Sequence, residues 1–178
     1  MRNELYAVQV TTGRESRFAQ HAEDAEPDGI RRIIFLQRRL NIRRGGKNVM
    51  ELAPVFPGYV FLETGGSLRN GAFLAIKELP DFIRFLPSNS KCERLSSGDV
   101  DIVNSFLKFG TIAEPSDAYF DENDRIVITE GPLKGLEGLI QSVDRRKRRV
   151  RLVTDFMGCR TSVDLSYNVI EKKKDTER

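Results

Sequence analysis

The sequence predicts an α+β protein of two domains, an antiparallel sheet with packed helices followed by a small SH3-like β-barrel. Three observations carry this. Residues 1–110 mix strand-like and helix-like periodicities in the order β-α-β-β-α-β-α. Residues 122–172 break instead into about five short strands with turns between them. Between the two, Thr111 to Asp121 holds Pro115 and Ser116 among polar and charged neighbours, a composition that suits a linker. The expected divisions are therefore 1–110, a linker at 111–121, a barrel at 122–172 and a charged tail at 173–178.

Leu5 to Val10 alternates as a strand, and Thr11-Thr12-Gly13 turns the chain and offers a hydroxyl cap. Arg14 to Glu26 reads as a helix with Phe18, Ala22 and Ala25 on one face, ended by Pro27-Asp28-Gly29. Ile30 to Ile42 reads as one strand running to the basic tip Arg43-Arg44-Gly45-Gly46-Lys47, with Val49 to Leu52 returning. Phe56 to Glu63 is an apolar run of the kind covered on both faces. Leu68 to Leu79 suits a short helix, Phe82 to Leu86 a strand, and Val100 to Phe109 a last helix opened by Ser96-Ser97-Gly98-Asp99. Expected barrel strands lie at 125–129, 136–143, 150–154, 161–165 and 168–170.

Composition narrows the function. The chain has 178 residues and is 39% hydrophobic, with no apolar run of membrane-spanning length. Its N-terminus lacks the apolar core of a signal peptide, so a cytoplasmic protein is expected. Cys92 and Cys159 are far apart and there is one histidine, His21, so reduced thiols and no structural metal are expected. His21 has no nucleophile or carboxylate foreseen beside it, and no phosphate-binding, dinucleotide-binding or hydrolase motif is present. No catalytic residue and no cofactor is expected, and the chain reads as a monomer that is not an enzyme. Net charge is +3, and all of it falls in the C-terminal third: residues 1–121 carry 16 basic and 16 acidic side chains, residues 122–178 carry 13 and 10. A polyanionic partner for that third follows.

The most specific feature is Gly131-Pro132-Leu133-Lys134-Gly135-Leu136-Glu137-Gly138 after an apolar strand. Gly131-Pro132 marks a tight turn, and Gly135 and Gly138 read as places where a side chain would crowd a barrel. The segment resembles a KOW motif. Asp155-Phe156-Met157-Gly158 and Ser162 to Leu165 continue a resemblance to the small barrel that ends NusG proteins. In the first half, Leu5 to Val10, Gly13 before a helix, Phe56-Pro57-Gly58-Tyr59-Val60 and Phe82-Ile83-Arg84-Phe85 resemble that family's N-terminal (NGN) domain, in the family's order. The resemblance spans about residues 4–172 and implies a transcription elongation and antitermination factor.

It also implies partners. The family's N-terminal domain grips the clamp helices of RNA polymerase with a hydrophobic depression, which carries over to Tyr6, Phe35, Phe56 and Tyr59. From the residues alone Phe56 and Tyr59 read equally as core or interface, and the resemblance favours interface. The barrel's protein-partner face carries over to Leu133, Phe156 and Met157. Leu5 stands where the family has Trp, Leu133 stands where it has an aromatic, and the Phe156-Met157 pair is reversed. These departures put contact with ribosomal protein S10 or Rho in doubt and resemble those of specialised paralogues such as LoaP, RfaH and the UpxY type.

Arg145-Arg146-Lys147-Arg148-Arg149-Val150-Arg151 places six cations in seven residues on an expected hairpin loop, with Arg160 on the neighbouring strand. A charge run is commonly a solvated face, yet one this uniform suits phosphate and argues for RNA or DNA; LoaP-type proteins are associated with RNA recognition through this domain, so the resemblance points to RNA, including a leader hairpin. Arg31, Arg32, Arg38, Arg39, Arg43, Arg44 and Lys47 form a second cluster. Paired arginines on strands commonly flank a solvated face, while the tip from Arg43 to Lys47 points to non-template DNA. The alternative reading is a KOW-containing RNA-binding or ribosome-associated protein with no polymerase role. Such a protein has no need of the Phe-Pro-Gly-Tyr domain.

Overall fold

The computed structural model describes residues 3–171, apart from the side chains of Arg43, Asn48 and Lys91; the tail expected at 173–178 lies outside the described residues. The chain divides into two compact units. The first takes the described residues up to Gln37 together with Pro54–Asn104. The second takes Arg38–Ala53 and the described residues from Ser105 onward.

The first unit is a four-stranded antiparallel sheet, ordered β2-β5-β1-β6, from β1 (Glu4–Val10), β2 (Ile30–Ile34), β5 (Tyr59–Thr64) and β6 (Phe82–Phe85). Helices α1 (Glu15–Asp24) and α2 (Asn70–Lys77) pack on one face. There Tyr6, Val8 and Val10 of β1 and Val60 and Leu62 of β5 meet Phe18, Ala22 and Ile76, all buried. Burying each of these Val, Leu, Ile and Phe side chains contributes about 1.5–3 kcal/mol. Ala25, expected on that helix face, is the exposed residue that ends α1. A short ladder joins β7 (Pro87–Ser88) to β8 (Lys91–Cys92).

α1 begins without the expected hydroxyl cap, since Arg14 occupies the capping position and makes no side-chain cap bond. The Glu15 side chain is instead buried, and its Oε1 accepts from the Gly58 N–H at 2.7 Å. That bond fastens the Phe-Pro-Gly-Tyr segment, which forms a turn and not the start of a strand. Tyr59 N–H donates to the Phe56 carbonyl and Gly58 sits at φ +80°. Pro then left-handed Gly at the two central positions is the pattern of a type II turn.

The second unit is a five-stranded sheet, ordered β11-β10-β14-β13-β12. Its strands are β10 (Ser116–Phe120), β11 (Ile126–Glu130), β12 (Ile140–Asp144), β13 (Arg149–Phe156) and β14 (Cys159–Val169), with a 3₁₀ turn η1 (Glu137–Leu139) before β12. β10 pairs parallel with β14, and the other ladders are antiparallel. β14 runs unbroken where two strands were expected.

Two features differ from the expected divisions. Most of the expected linker is structured as β9 (Ile112–Ala113) and β10. Ser116 and Ala118 alternate inward and are buried, but such small side chains leave only a faint period-two signal. The strand expected from Ile30 to Ile42 is interrupted at Phe35-Leu36. Its second part, β3 (Gln37–Arg44), turns at Gly45-Gly46 into β4 (Lys47–Pro54) and forms a three-stranded sheet, β4-β3-β9. α3 (Ser97–Leu107) precedes β9. Apart from Gln37 and Pro54 at its ends, this hairpin belongs to the second unit. Arg39 pairs with Glu114 at 2.8 Å, Asn41 N–H donates to Ser166 Oγ at 3.3 Å, and Arg149 Nη2 donates to the Asn41 carbonyl at 2.9 Å.

The three glycines of the 131–138 motif prove unequal. Gly131 lies at φ +100°, and a Cβ there would fall 2.7 Å from the Ser116 Cα. Gly135 and Gly138 have open space where a Cβ would go, so crowding is not their role. Ser116 Oγ in turn accepts from the Leu133 N–H at 2.9 Å in the buried interior. Gly131→Ala therefore combines backbone strain with a clash against main chain and should cost about 3 kcal/mol. Gly138→Ala should change stability by about 0.5 kcal/mol or less. Urea unfolding of the two variants checks this, and equal midpoints would contradict the packing.

Candidate functional site

The four aromatics expected to line one depression divide between the two faces of the first sheet. Tyr6 opposes Leu62 in the β1–β5 ladder, whereas Tyr59 opposes Gln9, an odd number of residues away on each strand, so the two side chains leave opposite faces. Tyr6 is buried on the helix face; its hydroxyl donates to Glu4 Oε2 at 2.9 Å and accepts from the Leu68 N–H at 3.2 Å. Burial raises the Tyr6 pKa. Phe35 packs against the same helix-face core and is part-exposed. Phe56 is buried with its ring edge-on to Phe61 at 5.9 Å. Tyr59, part-exposed beside the Pro57-Gly58 turn, is the member of the set nearest to a surface contact on the second face. Tyr6 is thus a core residue and not part of a surface depression.

Leu133 and Phe156, expected on a partner face, are core residues of the second unit at 0% and 1% exposure. Met157 is part-exposed at φ +52° in the two-residue turn between β13 and β14.

The basic run behaves as expected in position. Asp144 opposes Arg149 in the β12–β13 ladder, so Arg145 to Arg148 form the connecting turn. Lys147 N–H donates to Asp144 Oδ1 at 2.8 Å and Arg148 adopts φ +52°. Its charge is less uniform in space than in sequence. Arg145 pairs with Asp124 at 2.9 Å and stacks 3.9 Å over the Phe120 ring, a cation–π contact. Lys147 lies 3.8 Å from Asp144. Arg151 forms a bidentate pair with Asp164 at 2.7 and 3.0 Å. Arg146 and Arg148 project into solvent and pair with no acid among the described residues. Arg160 is exposed and, through its register with Asp155, shares a sheet face with Arg149 and Arg151.

On that face lies a polar cleft of about 250 Å³, lined by Ser142, Asp144, Lys147, Arg149, Arg151 and Asp164. Arg38 of β3 stands close enough to feel the charges of Asp164 and Arg149. Sequence reading did not single out Arg38 for binding, because a paired arginine on a strand looks like a solvated face. The signal that would have found it is the docking of β3, which no local pattern encodes. Among the described residues no cluster of three or more His, Cys, Asp or Glu side chains could hold a metal, and no helix is long and apolar enough to cross a membrane. Cys92 and Cys159 are both free thiols, and burial pushes Cys92 up to about 11.

A sequence-family model described as "Transcription termination factor nusG" matches residues 3–104, more than half of the chain. The chain belongs to the NusG family. "Transcription termination/antitermination protein NusG" of Buchnera aphidicola is 25% identical over 94% of both chains. The NusG protein of Bacillus subtilis is 24% identical over 97% of this chain and 99% of its own. A solved structure titled "Domain interaction in Thermotoga maritima NusG" superposes with a TM-score of 0.60 at 19% identity, covering 93% of this chain and 94% of that one. The chain thus has a NusG-like fold of mostly sheet with three helices among its described residues, and the family's business is the regulation of transcription.

The hydrogen bonds from Arg151, and secondarily the Arg151, Arg38 and Arg149 charges, hold the Asp164 carboxyl below its ordinary range. A depressed folded pKa contributes stability that is fully present above the unfolded value, near 3.9, and lost as pH falls through the folded one. Asp164→Asn should therefore lower the urea midpoint at pH 7, and the gap to the parent should close progressively below about pH 4. A gap that stays constant from pH 7 to pH 2.5 would contradict the ion-pair assignment.

Proposed function

We propose that this chain is a specialised NusG paralogue, a transcription elongation and antitermination factor that binds RNA polymerase through its first unit and RNA through its second. The family match over residues 3–104 carries the reading, because a KOW-containing RNA-binding protein without a polymerase role has no use for that domain. The second unit is read as a KOW-type barrel from its five strands and the Ser116-braced turn at Gly131. Polymerase contact falls to the sheet face bearing Tyr59, with Phe56 and Phe61 forming the buried floor that holds it. Binding that favours a closed clamp shifts the enzyme away from pausing by differential affinity for that state. RNA contact falls to the β12–β13 turn, where Arg146 and Arg148 pair with no acid among the described residues. With Leu133 and Phe156 in the core, partner contact on the S10 or Rho face is left to Met157 and its surroundings.

Retention on immobilised RNA polymerase tests the first half. Tyr59→Ala should stay folded by circular dichroism and lose retention by tenfold or more, about 1.4 kcal/mol. Phe56→Ala should unfold or nearly so, since emptying a buried aromatic site costs roughly 3–5 kcal/mol. A folded Tyr59→Ala chain that still binds polymerase like the parent removes that face from the contact.

Titration into a structured RNA at several salt concentrations tests the second half. With Arg145, Lys147 and Arg151 internally paired, about two to three phosphates are engaged, so log K should fall against log salt with a slope near −2 to −3. Arg146→Ala with Arg148→Asn, the latter chosen because Asn tolerates positive φ, should flatten the slope by about one to two units. An unchanged slope would take the turn out of the RNA site.

A further inference from the structure

We propose that the cleft on the sheet face of β12, β13 and β14 is a phosphate-binding subsite in which Arg38 of the β3–β4 hairpin, close to Asp164 and Arg149, supplements Lys147, Arg149 and Arg151, and that it receives one backbone phosphate of the bound RNA. The proposal rests on the RNA reading above and adds to it a residue from the N-terminal half and a defined pocket.

The argument begins with charge. The cleft holds Lys147, Arg149 and Arg151, and Arg38 stands close enough to Asp164 and Arg149 to add a fourth cation, against two carboxylates, Asp144 and Asp164. Asp164 spends both oxygens on Arg151, and Asp144 gives one oxygen to the Lys147 N–H and the other to the Lys147 ammonium. Neither carboxylate is committed to Arg38 or Arg149. Arg38 Nε and Nη1 are buried and make no hydrogen bond among the described residues, and Arg149 Nε is in the same state. Among the described residues Arg149 places one nitrogen, Nη2, on an acceptor, the Asn41 carbonyl. Burial lowers the Arg38 pKa, the Asp164 charge partly offsets this and the Arg149 charge adds to it, yet a guanidinium does not give up its proton in proteins. A part-buried pair of guanidinium groups that shares one carboxylate with Arg151 and leaves buried nitrogens without acceptors among the described residues is costly, and the cost falls when an anion brings both charge and acceptors.

The geometry suits phosphate in particular. Guanidinium forks match tetrahedral oxyanions, and the cleft is lined by polar and charged residues only. Its position on the sheet face beside the 145–148 turn lets a strand already held by Arg146 and Arg148 lay a further phosphate there. Arg160, on the same face farther along β14, continues the track.

The test uses the full-length chain and the variant Arg38→Met, which keeps the aliphatic stem and deletes the charge. The first readout is thermal unfolding with and without inorganic phosphate, against chloride at equal ionic strength. Phosphate should raise the midpoint of the parent and leave that of R38M unmoved, while R38M without phosphate should be as stable as the parent or more so. The second is RNA affinity against salt, where R38M should flatten the slope by about one unit. Should R38M fail to fold, Arg38→Lys keeps the charge without the fork and should retain part of the phosphate shift and nearly the parental slope. Equal phosphate shifts in parent and R38M, or in parent and R38K together with no shift above chloride in either, overturn the subsite. A parental RNA slope in R38M with loss in the Arg146/Arg148 variant overturns it while leaving the RNA reading intact. An Arg38-dependent phosphate shift in a chain that binds no RNA supports the subsite and defeats the RNA reading alone.

Discussion

The main chain at Gly131 passes so close over Ser116 that a single added carbon would meet backbone, and the second unit is arranged around that approach. The Ser116 hydroxyl accepts from Leu133 N–H, which places Leu133 in the core and sets where β10 starts. β10 then pairs with β11 on one side and β14 on the other. β14 is the long strand against which β13 is registered, Arg151 opposite Asp164. The basic turn and the cleft therefore inherit their positions from a contact between two small residues fifteen positions apart. In the first unit the comparable constraint is polar, a buried Glu15 carboxylate on the Gly58 amide that ties α1 to the aromatic turn.

Much of this was legible in the sequence because it is written in local chemistry. Alternation in β1 and β5, the helical spacing of Phe18 and Ala22, and the turn at Gly131-Pro132 all report on neighbours in the chain. The location of the basic run on a hairpin turn followed from the strands flanking it. What escaped was set by distant partners. β10 is made of Ser, Asp and Ala at its start, residues that spell linker until Gly131 closes over them. Tyr6 and Tyr59 look alike as exposed-aromatic candidates, and only the β1–β5 register sends them to opposite faces. Arg38 and Arg39 look alike in sequence, yet Arg39 ends on Glu114 while Arg38 keeps two buried nitrogens without acceptors among the described residues.

Charge density along a chain overstates charge density in space. Three of the six cations between Arg145 and Arg151 face acids: two from elsewhere, Asp124 in the turn before β11 and Asp164 on β14, and one, Asp144, from the foot of the same hairpin. Exposed pairs of this kind contribute little to stability, commonly 0–1 kcal/mol. Their larger effect is orientational, since each fixes a long side chain that would otherwise wander. Arg145, held between an aromatic ring and a carboxylate, stiffens the base of the turn from which Arg146 and Arg148 project.

The route of the chain has a consequence for inheritance. The backbone passes between the two units three times, at residues 37/38, 53/54 and 104/105, because the β3–β4 hairpin is encoded in the N-terminal half and folds with the C-terminal one. A genetic exchange at the 104/105 junction, the natural place to shuffle two-domain proteins, would carry away β9 to β14 and leave behind Arg39, the partner of Glu114, and Asn41, which bonds both Ser166 and Arg149. A chimera joining this N-terminal half to a relative's C-terminal half would pair a hairpin selected against one sheet with the surface of another. A substitution on β3 therefore acts directly on β13 and β14, although more than a hundred positions separate Asn41 from Arg149 in sequence.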